Sequence, residues 1–229
     1  MSLQQYQFLL PMENMLKNDP SFRQETLGNR KTGKGLSSLV GIILLGALTI
    51  TSATQSIAAT TPQTSASAHQ LALDKTLRAA KDAAWIAEGN GPRLVYIFFD
   101  PECPYCHKLY QETRSLIGRD GLQLRWIPVG ILMPTSAGKA AAILDAKDPL
   151  AAFHKNEDEF GPAPKFGGIA ETIPSEQATK RLQQNAQLFK QTGMPGVPVM
   201  MFREASGKVR IVDGAPSPSL LNEMLRSVK

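Results

Sequence analysis

From His69 onward the spacing of apolar positions alternates between helical and extended periods. Between His69 and Trp85, Leu73, Leu77, Ala80 and Ala84 recur every three or four residues, while Asp74, Lys75, Arg78 and Lys81 fall on other faces; this predicts an amphipathic helix. Leu94 to Phe99 is an unbroken apolar, β-branched and aromatic run, the pattern of a strand buried on both faces. Cys103 to Ile117 puts Leu109, Tyr110, Thr113, Leu116 and Ile117 on one helical face before a glycine stop at Gly118. Leu122 to Val129 alternates as a second strand, and Ser136 to Ala146 forms a small alanine-rich helix.

Phe160 to Ile173, with its Gly and Pro, is expected to be loop. Ser175 caps a helix running to Gln191, with Gly193 just past its end. Val197 to Phe202 and Lys208 to Val212 form a hairpin across the turn at Glu204-Ala205-Ser206-Gly207. Leu220, Leu221, Met224, Leu225 and Val228 give the apolar face of a last helix. Strand, helix and strand with short connections make a right-handed βαβ unit. Followed by helices and then ββα, the order is that of an α/β, thioredoxin-like fold with a helical insertion over about residues 132–173.

The first third reads differently. No charged residue occurs between Gly35 and Ala68, and Leu39 to Ile50 is a compact apolar run preceded by Arg30, Lys31 and Lys34. Ser56-Ile57-Ala58 supplies small residues just after it, the order of an export signal. Residues 1–35 then form an n-region or cytoplasmic tail, and residues 36–59 either a cleaved signal or a membrane anchor. Both readings place the domain in the periplasm. Residues 60–85 are expected to be a tether and linker helix, and 86–229 the catalytic domain. With 229 residues the chain accommodates one core plus an appendage, and 42% hydrophobic residues suit a packed globule. A net charge of +5 is too mild for a nucleic-acid partner.

The chemistry concentrates on the two cysteines of the chain, Cys103 and Cys106, in Cys103-Pro104-Tyr105-Cys106. A thiol at a helix start faces unpaired N–H groups and the positive end of the helix dipole, which favour the thiolate. Such settings lower a cysteine pKa from about 8.5 into the range of roughly 3.5 to 7.5. Cys103 is therefore the expected nucleophile, and Cys106, one turn on and more buried, the resolving thiol. Val197-Pro198 opens the third strand, where proline cannot donate to a ladder, so a cis bond is expected, facing the cysteines. The backbone of Val197 would then pair with an extended substrate. Pro104 and Tyr105 complete the candidate site, Tyr105 through substrate contact. His107 is expected to be an exposed first-turn residue, Asp100 and Glu102 to be solvated, and Met200 and Met201 to be core.

Phe98-Phe99-Asp100-Pro101-Glu102-Cys103-Pro104-Tyr105-Cys106, with Trp85-Ile86 before it and Ala141 to Pro149 behind, resembles the catalytic domain of the bacterial DsbC/DsbG-type thiol:disulfide interchange proteins, the DsbG branch being the nearer. The resemblance covers roughly Trp85 to Lys229. It implies a periplasmic thioredoxin fold, a nucleophile at Cys103, a resolving thiol at Cys106 and a cis-proline at Pro198. It also implies exported protein substrates with disulfides or oxidised cysteines, reduction by a DsbD-like membrane donor, and no cofactor beyond the cysteine pair. Family members carry an N-terminal dimerisation domain; here only the tether and the helix precede the catalytic domain, so a monomer is expected. Val197 stands where that family typically has Thr and resembles the DsbA-type oxidases instead.

Five other readings compete. A monomeric disulfide oxidase uses the same residues in the opposite direction. Cys103 to His107 also spells a c-type haem attachment motif. Zinc needs more ligands than one cysteine pair and the scattered His69, His107 and His154 supply, so no metal is expected. A purely structural disulfide would close too small a loop to be a useful staple. A chaperone-like binding module, finally, would treat the thiols as incidental.

Overall fold

A computed structural model describes residues 62–229. The expected n-region and the export or anchor segment lie outside the described residues. Among the described residues no helix is long and apolar enough to cross a membrane.

The elements are α1 (Pro62–Ala79), β1 (Ile86–Glu88), β2 (Arg93–Phe99), α2 (Pro104–Thr113), β3 (Leu122–Pro128), α3 (Ser136–Leu144), α4 (Pro149–Asp158), α5 (Glu176–Gln191), β4 (Val199–Arg203), β5 (Val209–Asp213) and α6 (Pro218–Arg226). They build one five-stranded sheet in the order β1-β3-β2-β4-β5. β2 and β3 pair in parallel, from Arg93 opposite Leu122 to Phe99 opposite Pro128, while the other three pairings are antiparallel.

The period of two along β2 divides the core. Val95, Ile97 and Phe99 point to one face, where they meet Trp126, Met200, Phe202, Leu109 of α2, Ile143 of α3, Phe153 of α4 and Leu225 of α6. Tyr96 and Phe98 point to the other, with Ile127, Met201, Leu73 and Leu77 of α1, and Phe189 of α5. Both faces of β2 are thus covered, which is why its sequence is a continuous apolar run. Met200 and Met201 are fully buried on opposite faces.

Several boundaries depart from the sequence reading. α1 starts at Pro62, inside the segment expected as a tether, and packs Leu73 and Leu77 into the core rather than linking freely. It ends at Ala79, short of Trp85, through a turn of 3-10 helix at Ala80–Asp82. The buried amide of Asn185 on α5 accepts from the Ala84 N–H at 3.1 Å and donates to its carbonyl at 2.9 Å, holding the backbone extended there. The chain thereby enters β1, a three-residue strand too short to carry an alternation. α4 was also absent from the sequence reading; Asp148 caps it, accepting from the Ala151 N–H at 3.0 Å, with Pro149 in the first turn. Leu220, expected on the buried face of α6, is 44% exposed.

Candidate active site

β2 delivers the chain to the rim of the sheet at Phe99, and α2 begins five residues later at Pro104. Cys103 is the N-cap of α2, with φ −90° and ψ 113°, and Pro104 occupies the first helical turn, where no N–H is needed. The Cys106 N–H donates to Cys103 Sγ at 3.2 Å. This is the usual geometry of an N-cap side chain satisfying an orphan donor, with sulfur in place of oxygen. Both cysteines are free thiols, 2% and 1% exposed, so the expected contrast in exposure between them is small.

Their ionisation differs sharply. The Cys106 thiol and the backbone N–H groups of Cys106 and Tyr105 hold the Cys103 thiol below its ordinary pKa, against burial and the Asp100 charge, which push the other way. Burial, with the Cys103 sulfur beside it, pushes Cys106 far up. One sulfur is prepared to be a thiolate and its neighbour to remain protonated.

The loop before β4 comes back to this point. Val197-Pro198 is a cis peptide, and the Cys103 thiol donates to the Val197 carbonyl at 3.5 Å across 94 positions of sequence. Pro198 is buried, and its carbonyl accepts from the Gly214 N–H at 2.8 Å. Pro104 is exposed, and Tyr105 is 67% exposed. The structure therefore brings Cys103, Cys106, Val197 and Pro198 together, with Pro104 and Tyr105 on the outer surface beside them.

The acidic residues around the motif are not solvated as expected. Asp100 is fully buried and accepts from the N–H groups of Glu102, Ile131 and Leu132 at 3.0, 2.6 and 3.0 Å, and from Ser136 Oγ at 2.7 Å. Glu102 is 6% exposed, accepts from Thr135 at 2.7 Å and pairs with Lys139 at 3.4 Å. The loop between β3 and α3 folds over both carboxylates and supplies the donors that permit their burial. His107 is likewise not an exposed first-turn residue. Its Nδ1 lies 3.2 Å from Glu157 Oε2, and its ring stacks on Phe160 at 4.4 Å.

Ser136, Asn156 and Glu157 escaped the sequence reading. Asn156 is fully buried and donates to the Pro101 carbonyl at 2.9 Å, bracing the residues that precede Cys103. The cap pair Asp148-Pro149 was the available signal for α4, which carries Asn156 and Glu157. Among the described residues no group of three or more His, Cys, Asp or Glu side chains is placed to hold a metal ion.

A sheet of this order, with a cysteine pair at the start of α2 and a cis-proline loop opposite, defines a class. The family model of the thioredoxin-like domain matches residues 80–229, and the chain belongs to that family. Within it, the chain is 37% identical over 147 residues to the thiol:disulfide interchange protein DsbG of Pseudomonas aeruginosa, covering 63% of this chain and 56% of that protein. To DsbG of Escherichia coli it is 31% identical over 140 residues, covering 60% and 55%. The chain thus spans little more than half the length of these curated relatives. Among solved structures, a linker-deletion mutant of Proteus mirabilis ScsC superposes with a TM-score of 0.57 at 18% identity, over 72% of this chain and 86% of that one; this likeness is one of fold.

Proposed function

We propose that this chain is a thiol:disulfide interchange enzyme that reduces or isomerises disulfides, or reduces oxidised cysteines, in exported proteins. The observation that carries the reading is the Cys103 sulfur at the N-cap of α2, receiving the Cys106 N–H at 3.2 Å and held below its ordinary pKa. The Cys103 thiolate attacks a substrate disulfide and forms a mixed disulfide while the other substrate sulfur leaves. Cys106 then attacks Cys103, closes the Cys103–Cys106 disulfide and releases the second substrate sulfur. Val197 offers backbone beside the sulfur for an extended substrate, and exposed Tyr105 offers it an apolar surface. The likeness to DsbG supports the same chemistry.

In this proposal residues 86–229 are the catalytic domain and residues 36–59 deliver it to the periplasm, as a cleaved signal or as an anchor. A DsbD-like membrane donor returns the cysteines to the dithiol, no further cofactor is used, and the domain works as a monomer. Burial of both sulfurs and the engagement of His107 with Glu157 and Phe160 argue against haem attachment.

Replacing Cys103 with Ser in the full chain is expected to abolish reduction of insulin disulfides and to prevent any mixed disulfide. A wild-type chain that leaves insulin disulfides intact, with both it and the variant still holding an unfolded client, would be a binding module instead. A second reading, a disulfide-donating oxidase, is favoured by the donors around Cys103, because stabilising the reduced form makes a dithiol pair oxidising. The reduction potential and the redox state in cells separate the two. A value near the oxidising end, about −120 mV, with cysteines found as disulfide supports the oxidase, and cysteines found reduced support the isomerase or reductase.

A further inference from the structure

Tyr105, Ile131, Leu132 and Met133 are four of the seven large apolar side chains that the described residues expose. The last three are consecutive, follow β3, and are each almost half exposed. Their exposure is built in, because every backbone N–H of the run is tied down. Asp100 Oδ2 accepts from Ile131 at 2.6 Å and from Leu132 at 3.0 Å. Ser136 Oγ accepts from the Met133 N–H at 3.0 Å and donates to Asp100 Oδ1 at 2.7 Å. At Gly130, with φ +59°, a Cβ would lie 2.9 Å from Ala137 Cα, so the loop lies tight against the start of α3. Three apolar side chains are thereby held in water on a fixed lip, and a contiguous apolar surface of this kind marks a contact site.

Asp100 also joins the lip to the thiols. Its carbonyl accepts the Cys103 N–H at 3.1 Å, so its main chain fixes the turn into the nucleophile while its carboxylate fixes the lip. In the sheet, β3 lies on one side of β2 and β4 on the other. The lip after β3 and the Val197 loop before β4 therefore flank the turn to Cys103 from opposite sides. Two strand spacings of ~4.8 Å separate these flanks, which an extended chain crosses in about three residues at ~3.3 Å each. The carboxylates beneath the lip, Asp100 and Glu102, are buried and bonded to donors, so the lip itself presents no charge. An apolar side chain fits it, and an ionised one would be desolvated there without a partner.

We propose that Ile131, Leu132 and Met133 are the specificity-determining part of the site, and that they take an apolar side chain of the substrate about three residues from its reacting cysteine. This deepens the interchange reading and rests on it. Pairing with the Val197 backbone aligns a substrate chain whatever its sequence. The lip adds selection, favouring cysteines embedded in apolar segments over cysteines with polar neighbours.

The test uses the reduced full chain and three disulfides that release the same coloured aromatic thiol: DTNB, and two peptides whose single cysteine is joined to that thiol. One peptide has leucine at the second and third positions on either side of its cysteine, the other serine. In each case Cys103 Sγ bonds to one sulfur of the disulfide and an aromatic thiolate leaves, so the first phase of colour release reports attack by Cys103. The leucine peptide is expected to react roughly 10-fold faster than the serine peptide at equal, sub-saturating concentration. In the triple variant Ile131→Ser, Leu132→Ser, Met133→Ser, the leucine peptide should slow until the two peptide rates agree within about twofold. A wild-type chain that does not distinguish the peptides overturns the proposal. So does a variant that keeps the preference, or one slowed equally toward both peptides and DTNB. Should the triple variant not fold, Leu132→Ser takes its place, with the preference expected to fall at least about threefold and an undiminished preference overturning the lip. A DTNB first phase no faster than that of a free cysteine removes the interchange reading itself, whereas a fast one without peptide preference removes only the lip.

Discussion

Two of the buried glutamates are each bonded to a histidine from a neighbouring helix, and the domain treats them in opposite ways. Glu88, on β1 and 3% exposed, is gripped by both Nη atoms of Arg114, by Trp126 Nε1 at 2.7 Å and by His154 Nε2 at 2.6 Å. Burial pushes its carboxyl up, but the Arg114, His154 and Trp126 donors outweigh it and hold the group below its ordinary pKa. Glu157 has one histidine and one amide, and there burial wins and the carboxyl is raised. The lesson is that burial alone does not set the state of an acid; the number of charged donors does. The fully satisfied site fastens the edge strand β1 to α2 and α4. The other, with one partner on each oxygen, joins α4 to His107, the residue that follows Cys106 on α2.

The largest effect that would separate the two sites is on stability. Glu88→Ala leaves Arg114, Trp126 and His154 facing a vacated carboxylate, and is expected to cost about 3–5 kcal/mol, read from the urea midpoint. A loss below about 1 kcal/mol would mean that water replaces the carboxylate freely and that the site is no fastener.

An intermediate effect is expected at the bracing beneath Cys103. Gly167 has φ +71°, and a Cβ there would lie 2.6 Å from both Asn156 Oδ1 and the Pro101 carbonyl. Gly167→Ala should therefore cost about 1–3 kcal/mol and displace Asn156, and a slower first phase in the DTNB assay would show that the displacement reaches Cys103.

The smallest change in stability falls on Glu157. Replacing it with Gln removes a charge that burial already disfavours, so thermal stability at neutral pH should stay within about 1 kcal/mol, in contrast to Glu88→Ala. The pH slopes are opposite in sign. Glu88 has its folded pKa depressed, so its contribution is complete above the unfolded value of about 4.3 and is lost as pH falls through the lower folded value. Glu157 has its folded pKa raised, so the folded state binds the extra proton. Its contribution grows as pH falls from neutral through that raised value toward about 4.3. Glu157→Gln should abolish the gain on mild acidification and leave the loss at lower pH. Retention of the gain in that variant would assign it to another group.

Much of the frame was legible because it depends on neighbours in sequence. The run Leu94 to Phe99 announced a strand buried on both sides, and β2 occupies Arg93–Phe99. Ser175 announced a cap, and its hydroxyl accepts from the Ala178 N–H at 3.0 Å. What was missed was short or capped without apolar periodicity, namely β1, with three residues, and α4, whose polar run Lys155 to Asp158 hides the one buried aromatic, Phe153. Asp100, Glu102 and His107 were misjudged for a shared reason. A polar side chain looks solvated in sequence, and only the loop that folds over it or the helix that packs against it supplies the donors that permit burial.

The amino-acid sequence by itself determined that a thiol would sit where a helix begins, because the buried strand, the Cys103-Pro104 start and the amphipathic run after it lie within a few residues of one another. The tertiary structure alone decided what that thiol and its partner meet. The Val197 carbonyl comes from 94 positions away and the Glu157 carboxylate reaches His107 from 50. Contacts at such separations are set by strand order and by which loop covers which face, and neither leaves a periodic trace in the chain.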